Sequence, residues 1–140
     1  MPELKIYDLF ISHAWRYNED YYRLEKMLHE APLFNWRNYS VPEHDPIIDP
    51  DTTIGNTKLT KLLDRQISPV NCVLILGGMY AVYSEWILKE IEIAQSYEKP
   101  IIGVYPWGQQ NMPLAVQNTS LELVRWNTDS IVSAVRRHSI

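Results

Sequence analysis

Residues Asn71–Gly77 (NCVLILG) and Pro100–Tyr105 (PIIGVY) are the two stretches that decide the fold. Each is a short, continuous apolar run that is bounded by residues favouring turns. Strands that are buried on both faces have this pattern, and such strands are typical of parallel sheets. We therefore expect a central parallel sheet whose two faces are both covered.

Shorter apolar runs and helical periodicities alternate on either side of these two strands. Apolar residues three and four apart predict helices, and prolines and glycines mark where elements end. The predicted strands are Lys5–Ile11, Phe34–Arg37, Asn71–Gly77, Pro100–Tyr105 and Leu121–Trp126. The predicted helices run from Asn18 to about Ala31, from Asn56 or Thr57 past Ile67, from about Tyr83 to Tyr97, and from Ser130 to His138. We expect Tyr39–Gly55 and Pro106–Asn118 to be irregular.

This alternation predicts an α/β protein with the flavodoxin-like three-layer arrangement. The five strands are expected to form one parallel sheet in the order 2-1-3-4-5. A length of 140 residues fits a single domain spanning residues 1–140. Ligands of such sheets bind beyond the carboxyl ends of the strands, at the switch between strands 1 and 3. That rule points to Ser12–Tyr17, Tyr39–Gly55 and Gly77–Ser84.

Composition excludes several classes of function. The net charge of -4 disfavours a nucleic-acid binder, which usually carries a basic field. No apolar run approaches the roughly 20 residues that cross a bilayer. No P-loop, dinucleotide glycine motif or zinc-like pattern is present, so we expect no bound metal or cofactor. The single cysteine, Cys72, and the absence of a recognisable signal peptide lead us to expect a cytoplasmic protein.

Glu90 is singled out by its place on the third predicted helix. Four residues form the apolar stripe that must face the sheet: Tyr83, Ile87, Ile91 and Ala94. Because successive side chains turn by about 100°, Glu90 lies about 60° from the centre of this stripe, at the margin of the core. Two interpretations follow. Glu90 is a charge-stabilising carboxylate held against the indole one turn earlier, or it is a surface residue paired with a cation.

Two motifs carry a resemblance to a known family. Tyr7–Trp15 (YDLFISHAW) resembles the first-strand signature of TIR domains, in which an aspartate precedes phenylalanine, isoleucine and serine. Ser84–Glu90 (SEWILKE) resembles the TIR motif with a tryptophan and a glutamate four apart. The resemblance extends from Lys5 to about Val135. It is closest to small bacterial TIR-like proteins, including the ThsB-type subunit of Thoeris antiphage systems, whose loop after the second strand is similar to Asn38–Glu43 (NYSVPE).

The resemblance implies an enzyme that cleaves the nicotinamide–ribose bond of NAD, with Glu90 at the position of the catalytic glutamate. NAD is then a substrate and not a cofactor. In bacterial defence members the product is often a cyclic or modified ADP-ribose signal, which switches on a separate effector protein. The family also implies self-association, and nothing in it implies a nucleic-acid or membrane partner.

Seven further residues are candidate substrate contacts, since the fold places them around the expected site: Phe10, Ser12, His13, Trp15, Tyr39, Ser84 and Trp86. The two serines can bond phosphate or ribose, or they can serve as caps and turn residues. The phenylalanine and the tryptophans can stack on nicotinamide or adenine, or they can pack in the core. The histidine can contact phosphate, or it can be a solvated loop residue.

A second function is open at this point, because a fold does not by itself imply a function. Many TIR domains only assemble with partners and have no activity. In that case the aromatic loop around Trp107 is the expected contact patch.

Overall fold

The computed structural model describes residues 5–12, 19–40, 53–76, 84–105, 112 and 114–140, although the side chains of residues 19–21, 53–59 and 84–86 are not described. Strands and helices alternate through these ranges, as predicted. The strands are β1 (Ile6–Ile11), β2 (Asn35–Asn38), β3 (Cys72–Leu76), β4 (Ile101–Val104) and β5 (Glu122–Val124). The helices are α1 (Glu19–Glu30), α2 (Thr53–Ile67), α3 (Ser84–Ser96), α4 (Leu114–Thr119) and α5 (Thr128–His138).

Within the described ranges the strands form one five-stranded sheet in the order β2-β1-β3-β4-β5. All neighbouring strands are parallel. Every residue of β3 and β4 is buried, because helices cover the sheet on both sides. The predicted flavodoxin-like order is therefore confirmed, and the carboxyl ends of β1 and β3 are neighbours, as the expected position of the site requires.

The register assigns each strand residue to one of the two faces of the sheet. Side chains alternate along a strand, and register partners on neighbouring strands point to the same side. Tyr7 pairs with Trp36, and the ring of Trp36 lies 4.8 Å from the ring of His29 on α1. We call this side, covered by α1 and α5, the α1 face.

The other side of the sheet carries Phe10, which pairs with Val73, and Gly103, which pairs with Ile75. A Cβ atom on Gly103 would lie 3.1 Å from Val116 of α4, so α4 covers this side. Helix α3 contacts both α2 and α4, whereas α1 contacts α5. We call this side, covered by α2, α3 and α4, the α3 face.

The two edge strands are short, and each carries an ion pair. On β2, Arg37 donates to its register partner Asp8 through bonds of 2.6 and 3.0 Å, and the bond to Asp8 raises the pKa of Arg37. On β5, the Glu122 carboxylate accepts from Arg137 at 2.7 Å and contacts His138 at 3.0 Å. The bond from Arg137 lowers the pKa of Glu122. Short, charged edges disfavour pairing with a further strand.

Two predicted boundaries differ from the structure. Helix α2 begins at Thr53, so it takes up the end of the predicted loop Tyr39–Gly55. Helix α4 lies inside Pro106–Asn118, which was predicted to be irregular. The prolines of that stretch favour irregular chain when only the sequence is considered. A helix of six residues is also too short to show a clear periodicity.

Gly103→Ala is expected to destabilise the protein by about 1–3 kcal/mol through overpacking. The added methyl would lie 2.6 Å from Leu123 Cδ2 and 3.1 Å from Ser120 Oγ. Urea unfolding measures the loss. Adding Leu123→Val removes the nearest atom and should restore part of the stability. An unchanged unfolding midpoint for the single variant would contradict the close packing of Leu123 and Ser120 against Gly103.

Cys72 is predicted to be chemically inert in the folded protein. Its side chain is fully buried on β3, and this burial raises the pKa of the thiol from 9.0 to about 12. Since the thiolate is the reactive form, its population at neutral pH falls roughly a thousandfold. A thiol reagent should therefore modify the unfolded chain rapidly and the native chain very slowly. Equal rates in the two states would contradict the buried position.

Candidate functional site

Buried polar side chains mark the candidate site. Among the described residues, the polar or charged side chains that are buried belong to Ser12, Ser40 and Glu90, and each is 0% exposed. Ser12 follows the last residue of β1, and Ser40 lies two residues beyond β2. Parallel strands end at one edge of a sheet, so both serines lie at the edge where ligands of this fold bind.

Glu90 lies deeper than the sequence analysis predicted. Ile93, which the predicted stripe leaves out, is buried together with Ile87, Ile91 and Ala94. The buried arc of α3 therefore spans about 160°, and Glu90 lies about 20° from its centre. The expected place at the margin of the core was wrong, because α3 packs against α2 and α4 as well as the sheet. Full burial also rules out the interpretation as a surface residue.

A carboxylate in this position is costly, because burying a charged group removes its hydration. The pattern of α3 calls for an apolar residue where Glu90 stands. In contrast, Glu92 on the same helix is exposed. Ionisable groups buried at the cost of stability are enriched at functional sites, which makes Glu90 the leading candidate for a chemical role.

Ser12 and Phe10 lie on the α3 face of β1, the side of the sheet that α3 covers. The Ser12 backbone N–H donates to the Leu74 carbonyl at 2.7 Å and continues the ladder between β1 and β3. Within the described part of the chain, Ser12 Oγ is buried and makes no hydrogen bond. The ring of Phe10 is fully buried, which favours the interpretation that it packs in the core.

Tyr39 follows β2 directly. Its backbone N–H donates to the Leu9 carbonyl at 2.9 Å, and its half-buried ring packs against the core. Alternation along the strand places this ring on the same side as Arg37, which is the α3 face. The structure therefore brings four of the predicted site residues to one side of the sheet: Phe10, Ser12, Tyr39 and Glu90.

The other candidates are not tested by the described side chains. His13 and Trp15 lie outside the described residues. Ser84 and Trp86 belong to the first turn of α3, which begins at Ser84, but their side chains are not described. The contact between Trp86 and Glu90 therefore stays a prediction, and so do the roles of these four residues.

Sequence reasoning missed a polar network at the same edge. The Ser40 backbone N–H donates to Asn38 Oδ1 at 2.8 Å, and Ser40 Oγ donates to the same oxygen. Asn38 Nδ2 in turn donates to Glu25 Oε2 of α1 at 2.8 Å. An asparagine followed two residues later by serine is a signal for such a turn, and it is visible in the sequence Asn38-Tyr39-Ser40.

Other features of the described residues lie away from this edge. A cavity of about 430 Å³ opens between β5 and α5, and one of about 310 Å³ opens at the amino ends of β4 and β5. Neither is lined by Ser12 or Glu90. No cluster of potential metal ligands is found among the described residues. No helix in the described ranges is long and apolar enough to cross a membrane.

Comparison with known proteins decides the family. The model of the family described as Thoeris protein ThsB, TIR-like domain, matches residues 10–111, which is more than half of the chain. This chain belongs to the ThsB TIR-like family. The match begins at Phe10 and includes both Ser12 and Glu90. Family membership supports a place for this chain in the Thoeris defence context.

Comparison with solved structures adds evidence on the fold alone. A 3-dehydroquinate dehydratase-like protein from Bifidobacterium longum superposes with a TM-score of 0.52, over 96% of this chain and 95% of that chain. The sequences are 6% identical, so this likeness says nothing about chemistry. No curated protein sequence matches this ThsB-type chain significantly.

The two buried serines should respond differently to removal of the hydroxyl group. Ser12→Ala removes a buried oxygen without a hydrogen bond in the described part of the chain, so stability should stay level or rise by up to about 1 kcal/mol. Ser40→Ala removes a bonded hydroxyl of equal burial and should cost about 1 kcal/mol. Thermal unfolding of both variants checks this contrast. Equal losses would mean that the Ser12 hydroxyl is bonded in the folded protein.

Proposed function

We propose that this ThsB-type domain cleaves the nicotinamide–ribose bond of NAD and makes a cyclic or modified ADP-ribose signal in antiphage defence. The observation that carries the proposal is the complete burial of Glu90 within the apolar arc of α3. The family match over residues 10–111 supports it, because that range contains the glutamate. The signal is proposed to act on a separate effector protein.

The reaction requires mainly that the protein hold a negatively charged group in a fixed position beside the ribose. The bond between the ribose C1′ and the nicotinamide nitrogen breaks, and the electron pair leaves with nicotinamide as a neutral molecule. Positive charge then develops on the ribose, as in glycoside hydrolysis. An ionised Glu90 stabilises this charge, and preorganised charge in a dry site is usually the largest catalytic contribution.

The acceptor determines the product. An acceptor oxygen attacks C1′ and gives up its proton, so water yields ADP-ribose and an internal ribose hydroxyl yields a cyclic isomer. An adenine ring nitrogen attacks with its lone pair and also yields a cyclic isomer, in which the adenine takes up the positive charge or loses a proton from its amino group. Exclusion of water favours the internal acceptor. The Ser12 hydroxyl, buried at the carboxyl edge, is proposed to bond a ribose hydroxyl or a phosphate oxygen of the bound NAD.

Glu90→Gln is expected to lower NAD cleavage by at least about a hundredfold, because it removes the charge while keeping the size of the side chain. Glu92→Gln is the matched control, since it makes the same change at an exposed position on the same helix. Nicotinamide release is measured by chromatography and the product by mass spectrometry. Both variants should remain folded by circular dichroism.

The assay also separates the proposal from its alternative, a TIR-like module that only assembles with partners. Turnover by wild type and Glu92→Gln but not by Glu90→Gln supports the enzyme. No nicotinamide release by wild-type protein, with or without lysate of phage-infected cells, would favour the assembly module. The product mass distinguishes ADP-ribose, a cyclic isomer and a conjugate.

A further inference from the structure

The segment that leaves β2 is held by three side chains, Glu25, Asn38 and Ser40, which we call the Asn38 anchor. One oxygen of Asn38 accepts both the backbone N–H and the hydroxyl of Ser40. The amide nitrogen of Asn38 donates to the Glu25 carboxylate on α1 at 2.8 Å. The anchor therefore joins helix α1 to the chain at the carboxyl edge of the sheet.

All three side chains of the Asn38 anchor are at least partly buried. Ser40 is 0% exposed, whereas Asn38 and Glu25 are partly buried. Burying the polar groups of Ser40 is tolerated because Asn38 satisfies both of its donors. Asn38 is suited to this task, since its amide accepts at one end and donates at the other.

The direction of the Asn38 side chain determines the direction of the next side chain, that of Tyr39. The side chain of Asn38 bonds α1 and therefore lies on the α1 face. Side chains alternate along extended chain, so Tyr39 lies on the α3 face. The same alternation places Tyr39 on the side of Arg37, two residues earlier, whose guanidinium pairs with Asp8. Tyr39 therefore lies between Asn38 and Ser40, two residues that hydrogen bonds keep in position.

We propose that Asn38 is a positioning residue that holds Tyr39 on the α3 face, where Phe10, Ser12 and Glu90 also lie. This inference rests on the proposed function, because it assigns Tyr39 to the binding of NAD. Asn38 touches α1 and Ser40 and acts on the substrate through Tyr39. Its loss should therefore weaken NAD binding more than the chemical step at Glu90.

A swap of the two polar groups tests the anchor without enlarging or removing a side chain. Asn38→Asp keeps the acceptor for Ser40 but sets a second carboxylate against Glu25. Glu25→Gln alone keeps an acceptor for the Asn38 amide. In the double variant the new amide donates to the new carboxylate, so every bond of the anchor can form again. The four proteins make a complete double-mutant cycle.

Kinetics over a range of NAD concentrations give the functional readout. Asn38→Asp is expected to lower kcat/KM about ten- to a hundredfold, mostly through KM, because a small displacement of a positioning group has effects of this size. Glu25→Gln should stay close to wild type, and the double variant should recover most of the loss. A purely structural role would instead lower the melting temperature and leave KM unchanged in the folded fraction.

Hydrogen exchange of the Tyr39 and Ser40 amides, followed by NMR, gives a readout that needs no activity. Both amides donate to protein acceptors. Their protection should fall in Asn38→Asp, because repulsion between the new carboxylate and Glu25 displaces the acceptor from Ser40, and it should return in the double variant. Unchanged protection in Asn38→Asp, or no recovery in the double variant, would overturn the anchor.

The two readouts also separate the two proposals. If amide protection and KM both change in Asn38→Asp and both recover in the double variant, the result supports the anchor and its role in binding. Protection that follows the cycle while KM stays constant would overturn the positioning role of Asn38. Protection that follows the cycle in a wild-type protein without NAD turnover would overturn the proposed function and leave the anchor as a structural feature.

Discussion

Burial of β3 and β4 on both faces is the constraint on which the rest of this structure depends. A strand without a polar face has to be covered twice, so helices must lie on both sides of the sheet and the strands must be parallel. Parallel strands all end at one edge, and the polar residues that follow them meet there. Ser12 and Ser40 follow β1 and β2, and both are buried at this edge.

The covering of the sheet by helices also buries Glu90, and this burial lowers the stability of the protein. Helix α3 packs against the sheet and against two other helices, so its buried arc is wide and includes the glutamate. An apolar residue there would fit the core with less loss of hydration. A protein that keeps a carboxylate in such a position gives up stability. Under the proposed function, the gain is a fixed negative charge that stabilises the positive charge developing on the ribose of NAD.

The strand order could be predicted from the sequence, because continuous apolar runs have few alternative folds. That order brings the carboxyl ends of β1 and β3 together, where the site is expected. The sequence misplaced Glu90, since the pattern of one helix does not show how many neighbours that helix has. It missed α4, whose six residues are too few for a periodicity. The bonds that join Asn38 to Ser40 and Glu25 were also missed, because a bond to Glu25 on another element is set by tertiary structure.

The central place of β1 has a consequence for the order in which the chain folds. β1 is made first, yet it lies between β2 and β3, and its partner residues Leu9 and Cys72 are far apart in sequence. Pairings of this kind carry a large loop-closure entropy and slow the folding reaction. During synthesis one edge of β1 therefore stays open until β3 has emerged, and the nascent chain presents its apolar first strand for most of that time.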